Sequence, residues 1–374
     1  MSTINVEITK TFIVTKFLKM LMESSKLGID YSVHAPQLVA SVRTTIQTRK
    51  EVFSKIQDVI TLIPDKLICG KPFCIFYWVT TLAEGSDVEI GLPVSEKFDS
   101  VELEFRTLPK FEAFSINHKR AVEDVGKVYG KLFQYANKFG FPSQEFGREV
   151  YHNFDDEDSR EIMVQFILHP WNKLLVENMD KVLGAELQQK ITEGMEALEI
   201  ETPLEKKFEW LVGMLKKLEE VTDESQRFDI ISGCAHFFPE EMISELHEVF
   251  LEALKNGPSM IEAVDQTLEY MKTHKGWGSV PFRKGNVLYT TKNPNNPKAF
   301  AEAKTHKEKI KAYCFCPIIR DNLDKDIPVT FCNCGAGWPK QIWEGVLGKS
   351  LKVEIVKSLT QGDEECQFAV HLPV

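Results

Sequence analysis

Between about residues 32 and 171 the apolar positions switch back and forth between a two-residue and a 3.6-residue rhythm. "HAPQLVASVRTTI" has the alternation of a strand, and "TRKEVFSKIQDVITLI" has the stripe of an amphipathic helix. "PFCIFYWVTT" and "DVEIGLPV" predict two further strands, parted by a turn around Gly85. The order then recurs: "KFEAFSINHK" as a strand, "AVEDVGKVYGKLFQYANKFG" as a helix, "FGREVYHNF" and "REIMVQFILHP" as strands around the acidic turn "DDEDS". Both halves close on an apolar strand ending in proline, Pro93 and Pro170. The repetition predicts an internal duplication of a strand-helix-strand-strand unit, with "SVELEFRTLP" leading into the second copy and a groove between the copies.

From about 172 to 272 the rhythm is helical throughout, as in "NKLLVENMDKVLGAELQQKITEGMEAL", "PLEKKFEWLVGMLKKLEEV" and "PEEMISELHEVFLEALKNG". Strands return after about 277 in "SVPFRKGNVLYTTK", "KIKAYCFCPII", "KVEIVKSL" and "CQFAVHL", with a short helix "PKQIWEGVLG" between them. The expected class is therefore α+β. The expected divisions are a helical lead-in over 1–30, a ligand-binding domain over 31–171, a helical segment over 172–272 and a cysteine-rich domain over 273–374. In the lead-in, Lys10, Lys16 and Lys19 interrupt every apolar run and no small-residue cleavage site follows, which argues against a targeting segment; the spacing of Phe12, Val14, Phe17, Leu18 and Leu21 predicts an amphipathic helix instead.

Charge narrows the partners. A net charge of −10 and a pI near 5.5 argue against electrostatic binding of nucleic acid. No run approaches the roughly eighteen apolar residues of a membrane span, so a cytoplasmic protein without a membrane partner is expected. In that compartment the eight cysteines are expected as reduced thiols.

The candidate chemistry of the first half lies on its strands. In "REVYHN", Glu149 and Tyr151 share a face; in "CIFYW", Cys74, Phe76 and Trp78 share one, with Tyr77 on the other. A carboxylate among aromatic rings suits an amphipathic organic cation, since ring faces attract cations and the carboxylate supplies the counter-charge. The strands "QLVASVRTT" and "DVEIGLPV", the "LP" before the second copy, and "REVYHN" followed by "EIMVQFILHP" resemble the gyrase-inhibitor-like, effector-binding family over residues 31 to 171. The resemblance implies a ligand pocket containing Glu149, with Tyr151 as its aromatic neighbour, and Phe76, Trp78 and His118 as further ligand-binding candidates. The chain departs from the family at "NHKRAV", where His118 precedes Lys119 and Arg120 in place of a His-x-Gly. Some relatives hydrolyse electrophilic small molecules. The alternative function is thus a hydrolase with Glu149 as general base, assisted by His118 or His152. A third is an interaction protein acting on a macromolecular partner.

Five cysteines cluster near the end: Cys314, Cys316, Cys332, Cys334 and Cys366. Two Cys-x-Cys pairs bring soft thiolate ligands close together, which suits tetrahedral zinc first; buried thiols in an apolar core are the competing reading, while the usual spacings of an iron–sulfur site and the Cys-x-x-Cys of a redox disulfide are both missing. On a strand, Cys314 and Cys316 would face the same way, and Gly335 and Gly337 would let the segment after Cys334 bend. Cys234 is a further candidate ligand. "CNCGAGWPKQIWEGVLGKSLKVEIVKSLTQGDEECQF" resembles the 4-vinyl reductase domain family over about 310 to 372, which implies a ligand-binding module with a metal near these cysteines. The combined expectation is a small-molecule sensor or sequestering protein with a groove for amphipathic ligands and a C-terminal zinc site.

Overall fold

The computed structural model describes residues 28–82, 85–119, 124–153, 160–257, 259–274, 277 and 279–373. The expected lead-in helix lies outside the described residues. Two compact units emerge: Met1–Trp78, Ala83–Ala136 and Phe146–Leu168 form one, and Val79–Leu82, Asn137–Glu145 and His169–Val374 the other.

The first unit runs β1 (Asp30–His34), β2 (Gln37–Ile46), α1 (Glu51–Thr61), β3 (Phe73–Leu82), β4 (Gly85–Pro93), β5 (Glu104–Leu108), β6 (Phe111–Lys119), α2 (Val125–Lys138), β7 (Ser143–Asn153) and β8 (Glu161–Leu168). Its eight strands make one curled sheet in the order β1-β6-β8-β7-β3-β4-β2-β5. Adding four to each strand of the first copy reproduces this order read backwards. The duplication visible in the sequence is therefore a pseudo-twofold fold, with its axis between the antiparallel neighbours β3 and β7. The two lead strands, β1 and β5, are exchanged: β1 pairs with β6 of the second copy, and β5 with β2 of the first. Both helices cover the same face of the sheet. Val52, Phe53, Ile56 and Val59 form the buried stripe of α1, while Tyr135 and Phe133 of α2 meet Phe114 and Phe166 at 5.0 and 6.2 Å between ring centres.

The second unit opens with helices α3 (Trp171–Leu183), α4 (Ala185–Ile191), α5 (Leu204–Val221), α6 (Glu224–Ser232), α7 (Glu240–Asn256) and α8 (Met260–Thr273). The long helix expected after residue 172 breaks at Gly184, whose φ of 83° is open to glycine and strained for other residues. There follow β9 (Phe282–Lys284), β10 (Val287–Thr291), α9 (Pro297–Glu302), α10 (His306–Tyr313), α11 (Pro317–Arg320), α12 (Asn333–Leu347), β11 (Lys352–Lys357) and β12 (Gln367–His371). The four strands form an antiparallel sheet, β11-β12-β10-β9. One core packs α7, α8 and α12 on this sheet around Trp343 and Phe368; another lies among α3, α5 and α6 around Leu215 and Ile230. No helix among the described residues is long and apolar enough to cross a membrane.

Two expectations need correction here. The stretch "KIKAYCFCPII" is not a strand: it forms the end of α10, an extended link and α11. The cause is local, a capping box in which Thr305 accepts from the Glu308 N–H while the Glu308 carboxylate accepts from the Thr305 N–H. Nor do Gly335 and Gly337 form a bend; they lie in the first turns of α12. A Cβ on Gly337 would stand 1.9 Å from the Ser232 carbonyl oxygen. Glycine is there to let two pieces of backbone touch.

Candidate functional site

Glu149 sits on β7 directly opposite Cys74 of β3, at the centre of the pseudo-symmetric sheet. Alternation along β7 turns Glu149 and Tyr151 to the face covered by α1 and α2, and both are fully buried, at 0% and 1% exposure. A buried carboxylate requires compensation. Two groups supply it: Tyr151 Oη donates to one carboxylate oxygen at 2.8 Å, and Arg49 Nη1 donates to the other and forms an ion pair with it. Arg49 enters from the turn between β2 and α1. Its guanidinium lies over the Phe76 ring, 4.2 Å from the centroid, with Tyr129 of α2 at 5.7 Å. Phe53 of α1 meets Tyr151 edge-on at 5.5 Å.

The electrostatics follow from this packing. Burial works against the charge on Arg49, yet Glu149 overrides it and holds the guanidinium above its ordinary value. Burial and then the charge of Glu149 push Tyr129 and Tyr151 well up, so both hydroxyls remain donors. The site is a carboxylate under a flat cation, which is itself stacked on an aromatic ring. Among the expected ligand residues, Glu149, Tyr151 and Phe76 come together. His118 is on β6, with β8 between it and β7. Trp78 belongs to β3, but its side chain lies outside the described residues.

Arg49 and Tyr129 were missed by sequence reasoning. "QTRKE" reads as a polar junction between strand and helix, and nothing local marks its arginine as turning inward. A second cluster, on the opposite face, was also missed. There Glu89 of β4 accepts from Ser41 Oγ at 2.7 Å, Tyr77 Oη at 2.6 Å and Arg106 Nε at 2.9 Å. Burial raises the Glu89 carboxyl, and Arg106, Tyr77 and Ser41 outweigh it, holding it below its ordinary value.

In the second unit, Cys314, Cys316, Cys332, Cys334 and Cys366 all line one cavity of about 280 Å³, with Lys292 and several aromatic rings. The five expected metal ligands thus share one space. Among the described residues, however, no three His, Cys, Asp or Glu side chains converge closely enough to hold one metal ion. Cys234 is buried in the helical core, its thiol donating to the Ile230 carbonyl oxygen at 3.4 Å.

Residues 35–166 match a family model described as a GyrI-like small molecule binding domain. Residues 302–373 match a family of unknown function, DUF6144. The second match carries no functional description and lends no support to the 4-vinyl reductase resemblance. No curated protein matches the chain. Among solved structures, the EcmrR C-terminal domain is similar at 17% identity and a TM-score of 0.34, over 37% of this chain and 96% of that one. SAV2435 bound to tetraphenylphosphonium is similar at 10% identity and a TM-score of 0.30, over 39% and 96%. A hydrolase from Listeria innocua is similar at 7% identity and a TM-score of 0.28, over 40% and 98%. The first unit thus contains a GyrI-like small-molecule-binding domain, over residues 35–166.

Proposed function

We propose that the GyrI-like domain takes up an amphipathic organic cation at Glu149, and that the protein acts as a small-molecule sensor or sequestering protein. One observation carries the reading: the fully buried Glu149 carboxylate already faces a flat cation stacked on an aromatic ring. Arg49 is held by the forces that would hold a planar or aryl-substituted organic cation, namely counter-charge, cation–π attraction and exclusion of water. Arg49 is tethered, and its side chain is 30% exposed, whereas that of Glu149 is 0% exposed. It can therefore withdraw towards solvent and give up its place. Tyr151 keeps its hydrogen bond to the carboxylate and orients it for the incoming charge.

The hydrolase alternative is less well supported. A general base must meet the water it activates, and the Glu149 side chain is 0% exposed.

The decisive experiment is calorimetric titration with tetraphenylphosphonium and with tetraphenylborate, which share a shape and differ in the sign of charge. The phosphonium should bind and the borate should not, and Glu149→Gln should weaken phosphonium binding at least about tenfold, a loss of ~1.4 kcal/mol. Equal binding of the two ions, or an unchanged affinity in Glu149→Gln, would remove the proposal. Turnover of an electrophilic substrate that is lost in Glu149→Gln would establish the hydrolase instead.

A further inference from the structure

The thiol-lined cavity of the second unit plays no part in cation binding at Glu149, and all of its lining residues belong to the second unit. Aromatic rings make much of its wall. Trp171 opens α3, Phe331 lies in the short turn ahead of α12, Trp338 lies within α12 and Phe368 within β12. Trp171 meets Phe331 at 5.8 Å between ring centres, and Trp338 packs edge-on against Phe238 at 5.8 Å, so both tryptophans are fixed in place. The five cysteines complete this wall, and all are free. A buried thiol behaves as a small, polarizable hydrophobe, and sulfur packs well at the edge of an aromatic ring. Rings and sulfurs together make a surface suited to another aromatic ring.

One charge interrupts this surface. Among the described lining residues, Lys292 is the one lysine or arginine, and no aspartate or glutamate is present. His236 adds no charge, because burial, then His169 and Lys292, hold its imidazole well below its ordinary value. Lys292 is held at three points. It directly follows β10, and its N–H donates to the Cys366 carbonyl oxygen at 3.0 Å, one step beyond the pairing of β10 with β12. Its own carbonyl oxygen accepts from Tyr313 Oη, which in turn accepts from the Cys366 N–H at 3.1 Å. From this clamped backbone the ammonium reaches over the Phe315 ring, 4.6 Å from the centroid. Among the described residues it forms no ion pair. A fixed ammonium without a counter-charge, at an apolar surface, attracts an anion.

Depth separates the two characters. Phe331 and Phe368 are buried, whereas Phe315, beneath the ammonium, and Asn293, next to Lys292, are exposed. The cavity is therefore apolar inside and cationic at its mouth. An anion held at the mouth keeps part of its hydration and avoids the cost of full burial. A fitting ligand carries a ring system at one end and an anionic group at the other. Volume limits the rings. The cavity of about 280 Å³ is nearly twice the ~150 Å³ of an apolar cavity that takes up benzene, which gives room for two fused rings. Charge limits the anionic group. One ammonium balances one negative charge, so a carboxylate fits better than a phosphate monoester, which brings close to two charges and three oxygens to satisfy.

We propose that this cavity binds an aromatic carboxylate of about two fused rings, with the rings against Trp171, Trp338 and Phe368 and the carboxylate on Lys292. The cysteines serve as part of the apolar wall. The assignment does not depend on the reading of Glu149.

The test is calorimetric titration of the full chain with naphthoate, naphthylmethylammonium and octanoate. Naphthoate should bind at least about tenfold more tightly than naphthylmethylammonium, which has the same rings and the opposite charge. It should also bind more tightly than octanoate, which has the carboxylate without the rings. Lys292→Gln should remove the preference for the anion. Location is read separately by alkylating the thiols and mapping the products by mass spectrometry. Saturating naphthoate should slow the labelling of Cys332 and Cys366 and leave Cys69, which is exposed and in the other unit, unchanged. Equal affinity for naphthoate and either of the other two ligands, naphthoate binding unaltered in Lys292→Gln, or labelling of Cys332 and Cys366 that naphthoate does not slow would overturn the proposal. The wild-type ligand series and the labelling decide the matter even where the variant fails to fold.

Discussion

Replacing Arg49 with alanine should weaken the fold and strengthen the binding of a cation. Truncating one member of a buried ion pair costs about 3–5 kcal/mol when the remaining charge stays dry. Arg49 is partly solvated, with 30% of its side chain exposed, so the loss falls below that range. The stacking on Phe76 adds a contribution of about 0.5–2 kcal/mol. A working figure is ~2 kcal/mol lost by the ligand-free domain. In the wild type an incoming cation must first break this interaction; in Arg49→Ala it need not. The same ~2 kcal/mol then appears as an affinity gain of up to about thirtyfold. Chemical denaturation gives the first quantity and calorimetric titration with tetraphenylphosphonium the second. In the double variant with Glu149→Gln the gain should vanish. If Arg49→Ala loses affinity along with stability, Arg49 is part of the ligand's support and the displacement argument fails.

Three other outcomes can be measured. His169 stacks on His236 at 4.2 Å, and burial lowers its pKa to about 4 from 6.5. Its folded value lies below the unfolded one, so the unfolded chain binds the extra proton and stability falls as pH drops from about 6.5 to 4. The loss is ~3 kcal/mol for this group, and the slope of denaturation midpoint against pH should shrink in His169→Gln. Gly337→Ala should unfold the second unit or lower its melting temperature sharply, because its Cβ would meet Ser232 backbone oxygen at 1.9 Å and overpacking of this kind costs about 1–3 kcal/mol or more. Thr305→Ala should cost ~1 kcal/mol in thermal denaturation by removing a cap of α10.

The first unit was legible because each of its elements is amphipathic with one clear period, and because the pattern occurs twice. Only the short lead strands β1 and β5 escaped, since five residues give too little alternation to read. The thiol region was harder. Ile310, Ala312 and the two cysteines imitate a strand's alternation, and the helix was announced only by the T-x-x-E of its cap. The glycines after Cys334 were misread because their reason is tertiary: close approach to Ser232 and Phe368 cannot be seen from neighbours in sequence. Glu149, Tyr151 and Phe76 were found through strand alternation. Arg49 was not, since an inward-turning arginine at a junction differs from a solvated one only by what lies across from it.

The exchange of lead strands also bears on how the chain is made. β1 is complete at His34, but its partner β6 ends only at Lys119. At about 5–20 residues per second of synthesis, that separation is an interval of roughly 4–17 s. During it the first copy has emerged with one of its strands committed to a partner not yet translated. Neither repeat can finish its sheet alone, and each offers an open edge suited to a second molecule's lead strand. Shortening the 94–103 connection should therefore favour interlocked dimers, in which two chains complete each other's sheets.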